Sequence, residues 1–102
     1  YTYIDDIVAG VVAALDRACP YEIFNLGNCR PIRLDDFIQS IAAAVGVTPI
    51  IEYMSMQPGD VLKTCADTTK AHVLLGYTPR TPFEEGIGRF VAWYRAHEHL
   101  YA

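Results

Sequence analysis

Long apolar runs are missing from this chain. No stretch approaches the roughly 20 residues that cross a bilayer, and no basic-then-apolar signal segment opens it. Neither a membrane span nor a membrane partner is expected, and the expected location is the cytoplasm. Positive charge is thin: six arginines and two lysines are scattered among twelve acids, leaving a net charge of −4. Without a clustered cationic face there is nothing to grip a phosphate backbone, so nucleic acid is not an expected partner. Cysteine is scarce. Cys19, Cys29 and Cys65 are an odd number without CxxC spacing, which fits reduced thiols better than a disulfide frame or a zinc site. The seven glycines, at 10, 27, 46, 59, 76, 86 and 88, never form the strand–turn–helix run that lets a backbone approach a pyrophosphate. By itself the chain is therefore not expected to hold a dinucleotide.

What remains is the composition of a folded protein, with 52% apolar and 20% charged residues over 102 positions. A chain of this size can bury roughly two-thirds of its unfolded surface. Ile4, Ile7/Val8, Val11 and Leu15 recur at helical spacing, with Asp5 and Asp6 in the first turn where the helix dipole favours carboxylates, so a helix is expected over 5–16. Tyr21–Leu26 alternates and is rich in strand formers, and Gly27-Asn28 closes it. A second helix is expected over 34–45 on the stripe Leu34, Phe37/Ile38, Ile41 and Val45, with Gly46 past its end. Pro49–Met54 reads as a second strand. Asp67 is placed to cap a short helix over 68–75 that Gly76 stops, with Tyr77 packing back against it. Thr81-Pro82-Phe83-Glu84 has the form of a capping box with proline at the first helical position, opening a last helix to about 99. The order of elements indicates an α/β fold, a small mixed helix–strand domain.

Among candidate sites the loop Met56-Gln57-Pro58-Gly59-Asp60-Val61 ranks first. Glycine lets a loop approach a ligand closely, and a neighbouring aspartate accepts hydrogen bonds from a ribose diol. Asn25 and Asn28 could line a cleft, but side-chain-to-backbone turn bonding is the commoner role for such residues. His97 and His99 fall about 200° apart on a helix and so cannot share an ion there, and His72 has no partner in sequence; no metal is expected. Phe90, Trp93 and Tyr94 at helical spacing read as core. The chain opens on Tyr1 with no methionine, directly on the alternating Tyr1-Thr2-Tyr3-Ile4, which reads as a cut through a longer protein.

Residues 59–94 are the richest stretch: Gly59-Asp60-Val61, Thr64-Cys65-Ala66-Asp67, Lys70-Ala71, Leu74-Leu75-Gly76-Tyr77-Thr78-Pro79, Thr81-Pro82-Phe83-Glu84-Glu85-Gly86-Ile87 and Phe90-Val91-Ala92-Trp93-Tyr94. This set resembles the C-terminal substrate lobe of the extended short-chain dehydrogenase/reductases, in particular their nucleotide-sugar epimerases. The resemblance extends to Tyr1–Val8, similar to the segment that follows an Arg-Asp-Phe triplet, and to Phe24–Asn28 with Arg30-Pro31-Ile32. It implies that Gln57, Gly59 and Asp60 bind a UDP-sugar substrate. Gln57 stands where an arginine is common in the family, keeping a hydrogen bond while dropping a charge, and the string Met56–Val61 is most like the UDP-glucuronate 4-epimerase branch. Cys65 departs from the tyrosine or tryptophan usual there. The resemblance also implies NAD in the full-length parent, with hydride removed from sugar C4 and returned to the opposite face, and a Tyr-x-x-x-Lys pair for proton transfer. No tyrosine of this chain has a lysine four residues on. The catalytic pair and the cofactor therefore belong to an upstream half, and the isolated chain is expected to be inactive. Alternatives within the family are a dTDP-sugar 4,6-dehydratase and a UDP-galactose 4-epimerase. Outside it stands a non-catalytic binding module, since a lone lobe exposes apolar surface and tends to self-associate as a homodimer or swapped oligomer.

Overall fold

The computed structural model describes residues 1–101, and their regular structure is entirely helical: α1 (Ile4–Asp16), α2 (Leu34–Val45), α3 (Thr69–Leu75) and α4 (Phe83–Ala96), with a single 3-10 turn at Glu98–Leu100. No helix among the described residues is long and apolar enough to cross a membrane. The expected helix positions hold to within a residue or two, except that α4 stops at Ala96. There the His97 amide turns back to the Tyr94 carbonyl at 3.0 Å and its ring Nδ1 lies 2.8 Å from the Trp93 carbonyl.

The two expected strands are not formed among the described residues, so the mixed α/β reading is corrected to a helical one. Tyr21–Leu26 and Pro49–Met54 have no regular structure. A strand exists only when a neighbour accepts and donates along its backbone, and the stretch 25–29 meets residues 66–68 through side chains instead. Asn25 Nδ2 donates to the Asp67 carbonyl at 3.2 Å, and the Cys29 thiol to the Ala66 carbonyl at 3.4 Å.

Helix ends follow local chemistry in part. α2 ends on Gly46 at φ 81°, with the Gly46 and Val47 amides both bonded to the Ala42 carbonyl. α3 ends on Gly76 at φ 67°, and Tyr77 folds back, its amide reaching the Ala71 carbonyl and its hydroxyl donating to the Gly27 carbonyl at 3.3 Å. These left-handed stops are the ones the sequence indicates. Asp67 also works at the start of α3, one position earlier than the helix boundary: its Oδ1 accepts the Thr69 amide at 3.0 Å. The capping box does not form. Pro82, whose ring can make no cap bond, occupies the cap position of α4, and the Thr81 amide that the box would pair with Glu84 is bonded instead to Asp6 Oδ2 at 3.0 Å.

The helices pack as two pairs, α1 with α3 and α2 with α4. α1 turns Asp6 and Gly10 inward, whereas Ile4, Val8, Val11 and Leu15 of its expected apolar stripe are exposed. A β-carbon on Gly10 would meet Leu26 Cδ2 at 2.8 Å and the Tyr77 ring at 2.9 Å, so the close approach of α1 to these side chains needs glycine. Each pair is fastened at a helix end by an arginine of its other member: Arg17, at the end of α1, donates to the Leu74 carbonyl of α3 at 2.8 Å, and Arg95 of α4 to the Val45 carbonyl of α2 at 2.6 Å. Each places a cation where the helix dipole is negative.

The hydrophobic core is small, made of Ala42, Ala71, Tyr77 and Val91. Phe90, Trp93 and Tyr94, expected as core, are 56%, 45% and 44% exposed. They form instead a surface ladder in which Trp93 stacks on His97 at 4.9 Å and Tyr94 on Tyr101 at 5.9 Å. The chain exposes 8120 Å², against about 5,800 Å² for a self-sufficient globule of its mass, and so buries about half of its unfolded surface, not two-thirds.

Candidate functional site

Gln57, Gly59 and Asp60 come together in one tight turn. The Asp60 amide donates to the Gln57 carbonyl at 3.2 Å, and Gly59 takes φ 90°, a conformation that favours glycine. The turn lies at the tip of a stretch, residues 50–65, that is exposed throughout. Its carboxylate and carboxamide face solvent, free to meet a ligand.

A separate cleft of about 350 Å³ opens between the start of the chain and the start of α4. Its floor is aromatic: Tyr1 stacks on Phe37 at 4.3 Å, and Phe37 lies 5.4 Å from Phe83. Thr2, Asn28 and Thr81 line it with polar groups, and none of Gln57, Gly59 or Asp60 does. Flat apolar walls with a few hydroxyl and amide groups suit a planar ring that also makes hydrogen bonds.

Asp6, read from sequence as a helix-start charge, is what fixes one rim of this cleft. It is 8% exposed, and its two oxygens accept the Arg80 and Thr81 amides, each at 3.0 Å. Burial pushes its carboxyl upward, but the Arg80 and Thr81 amides, the Thr81 hydroxyl and the Arg80 charge outweigh that and hold it below the ordinary carboxylate value. On the other rim the Thr2 hydroxyl accepts the Asn28 amide at 2.8 Å, and Asn28 Oδ1 accepts the Arg30 amide at 3.2 Å. Asn28 thus bonds a local backbone amide, as turn chemistry predicts, whereas Asn25 reaches the Asp67 carbonyl 42 residues away. Thr2 and Asp6 carry no composition signal, because their partners lie 26 to 75 residues away.

The glycines present do not fit a dinucleotide. Gly10 is inside α1 against Leu26, Gly27 faces Ala66, Gly86 packs on Tyr3 and Gly88 lies within α4, while Gly46 and Gly76 end helices and Gly59 sits alone in the 57–60 turn, so among the described residues no glycine run leads into the start of a helix as a pyrophosphate-binding turn does. Nor do the described residues gather three histidine, cysteine or acidic side chains fit for a metal ion. His72 Nδ1 sits 3.2 Å from both the Tyr77 carbonyl and the Thr78 hydroxyl. His97 and His99, past the end of α4, stack at 6.2 Å, so the helical separation argued from sequence does not apply to them.

No family model matches the chain. Individual proteins do. It is 44% identical over 94 residues to the uncharacterized protein MJ1055 of Methanocaldococcus jannaschii, 39% identical over 94 residues to a UDP-glucuronate 4-epimerase of Thermodesulfobacterium geofontis, and 35% identical over 108 residues to UDP-glucuronate 4-epimerase 1 of Arabidopsis thaliana. These alignments take in 91% to 92% of this chain and 25% to 29% of each relative. The chain therefore spans between a quarter and a third of the length of the curated relatives it matches. Nine-tenths of the chain thus aligns with a portion of several proteins named UDP-glucuronate 4-epimerase, and it is to members of that epimerase family that the chain is similar.

Proposed function

We propose that this chain is the C-terminal nucleotide-sugar-binding lobe of an NAD-dependent epimerase that interconverts UDP-glucuronate and UDP-galacturonate at C4. The observation that carries the reading is the alignment of 91% to 92% of the chain with several proteins named UDP-glucuronate 4-epimerase, from bacteria and a plant. The turn at Gln57–Asp60 supports it, with a hydrogen-bonding carboxamide and a carboxylate on one exposed, glycine-hinged loop. Gln57 and Asp60 bind the nucleotide part of the UDP-sugar, Gly59 lets the backbone approach it, and the lobe positions substrate and excludes water. NAD, which supplies reversible hydride transfer when bound, and the acid–base residues reside on the remainder of the enzyme, a placement supported by the lack here of a glycine run leading into a helix and of a tyrosine with a lysine four residues on. The setting is cytoplasmic polysaccharide precursor synthesis.

Incubating the parent polypeptide with UDP-glucuronate and following UDP-galacturonate by proton NMR tests the reading. Conversion is expected, and Asp60→Ala or Gln57→Ala should raise KM by about tenfold, the loss of roughly one hydrogen bond to a charged partner. Turnover of UDP-galactose with none of the uronate would move the enzyme to the UDP-galactose branch. Turnover or tight NAD retention by the 102-residue chain alone would refute the separation of roles.

A further inference from the structure

Two of the three cysteines converge on one backbone oxygen. The Cys29 Sγ lies 3.4 Å from the Ala66 carbonyl oxygen and the Cys65 Sγ 3.9 Å from the same atom. Laid end to end these distances keep the sulfurs within about 7.3 Å of each other. Both thiols are free and exposed, and Cys29 also sits 3.0 Å from the Thr68 hydroxyl. Neither residue belongs to a helix: Cys29 follows the Gly27-Asn28 turn and Cys65 precedes α3, so the side-chain rotation and backbone adjustment that bring the sulfurs to bonding distance break no hydrogen bond within a helix at either cysteine. Cys19 shares no such neighbour among the contacts of this pair.

We infer that Cys29 and Cys65 form a reversible intrachain disulfide, a thiol modification site that responds to low-molecular-weight disulfides. One cysteine thiolate attacks a sulfur of an oxidised small-molecule disulfide, forming a mixed disulfide and releasing one equivalent of the small thiol. The second cysteine thiolate then attacks the protein-bound sulfur, closing the Cys29–Cys65 bond and releasing the second equivalent. Two protein thiols are oxidised, one external disulfide is reduced, and the two thiol protons end on the two small thiols. The bridge closes a loop that contains α2 and the whole Gln57–Asp60 turn. Oxidation therefore restrains the segment that, on the reading above, meets the nucleotide.

The test equilibrates the protein with oxidised and reduced glutathione at a series of ratios and counts free thiols by Ellman titration. In Cys19→Ser, which removes the third exposed thiol, two thiols should fall to none with no added glutathione mass and without any concentration-dependent cross-linked dimer. Cleavage at Glu22, Arg33 and Lys63, analysed by mass spectrometry, should yield one linked pair, Ile23–Arg33 with Thr64 onward, that dithiothreitol separates. Cys19→Ser should leave the pair unchanged, whereas Cys29→Ser and Cys65→Ser added to that background should each stop at a single glutathione adduct. Closure should run at least tenfold faster in the native protein than in concentrated urea, which separates proximity set by the fold from random encounter. Retention of all three thiols under oxidising glutathione, pairing through Cys19, or equal rates in urea would each overturn the inference. None of these readouts depends on epimerase activity, so failure here leaves the functional proposal standing, and failure of that proposal leaves the disulfide in place.

Discussion

Asp5 and Asp6 stand side by side at the start of α1, and only the second leaves solvent. Their sequence context is the same, so dipole chemistry explains both equally well. What sets Asp6 apart is a pair of amides 74 and 75 positions away, a long-range fact that no local pattern carries. Asp6→Ala should destabilise the fold by about 2–4 kcal/mol, the range for two buried amides losing a charged acceptor, read from the urea midpoint. The pH dependence has a definite sign. The folded pKa is lowered, so the contribution is complete above the ordinary carboxylate value and is lost as pH falls through the depressed one, below about 4. The stability gap between wild type and Asp6→Asn should therefore be open at neutral pH and close on acidification; a gap that stays constant would contradict the assignment. Tyr77 is the opposite case, legible in advance from its place after a glycine stop. Its buried ring and its bond to Gly27 extend that local role across the molecule. Tyr77→Phe should cost about 0.5–1.5 kcal/mol, the net worth of one neutral hydrogen bond.

Helices proved readable because each carries its own evidence: apolar recurrence, acids in the first turn, a glycine after the last. α2 and α3 end on their glycines as the sequence indicates. Strands carry only half of their evidence, since alternation in Tyr21–Leu26 and Pro49–Met54 says nothing about whether a partner is present. The capping box at Thr81 failed for a related reason: a competing acceptor, Asp6, reached its backbone first. Helix faces were also misjudged. On α1 the side that packs is the one holding Asp6 and Gly10, because the small residue admits Leu26 and Tyr77. Gly10→Ala tests this. Alanine gains about 1 kcal/mol of intrinsic helix preference, yet a methyl group 2.8–2.9 Å from three side-chain carbons forces a shift that costs about 1–3 kcal/mol in a packed contact. Net destabilisation is expected in thermal unfolding, and a more stable variant would show that the contact yields freely.

At the scale of the whole molecule, surface is in excess. Roughly 2,300 Å² more is exposed than a complete globule of this mass shows, comparable with a large protein–protein interface. The radius of gyration, 16.8 Å, against about 13 Å for a compact domain of this length, says the same. Leu15, Ile50, Leu62 and the Phe90–Trp93–Tyr94 ladder are all exposed, so the chain by itself should associate. Light scattering on the purified chain is expected to give a mass at or above that of a dimer at high micromolar concentration, and a strictly monomeric result would refute this. Exposed apolar surface is expected of a lone lobe, but its location on the Phe90–Trp93–Tyr94 ladder was not legible in sequence, where these residues look like core. The candidate loop at 57–60 was legible, as a glycine turn beside an aspartate; the aromatic cleft was not, because Tyr1, Phe37 and Phe83 meet only in three dimensions.

The helix pairing is interleaved, first with third and second with fourth. A single nick in the exposed 50–65 stretch would put one member of each pair on each piece, so neither piece holds a complete packing unit. Two such peptides should be unstructured apart and regain helical circular dichroism when mixed, which makes this stretch a natural junction for split-fragment reassembly.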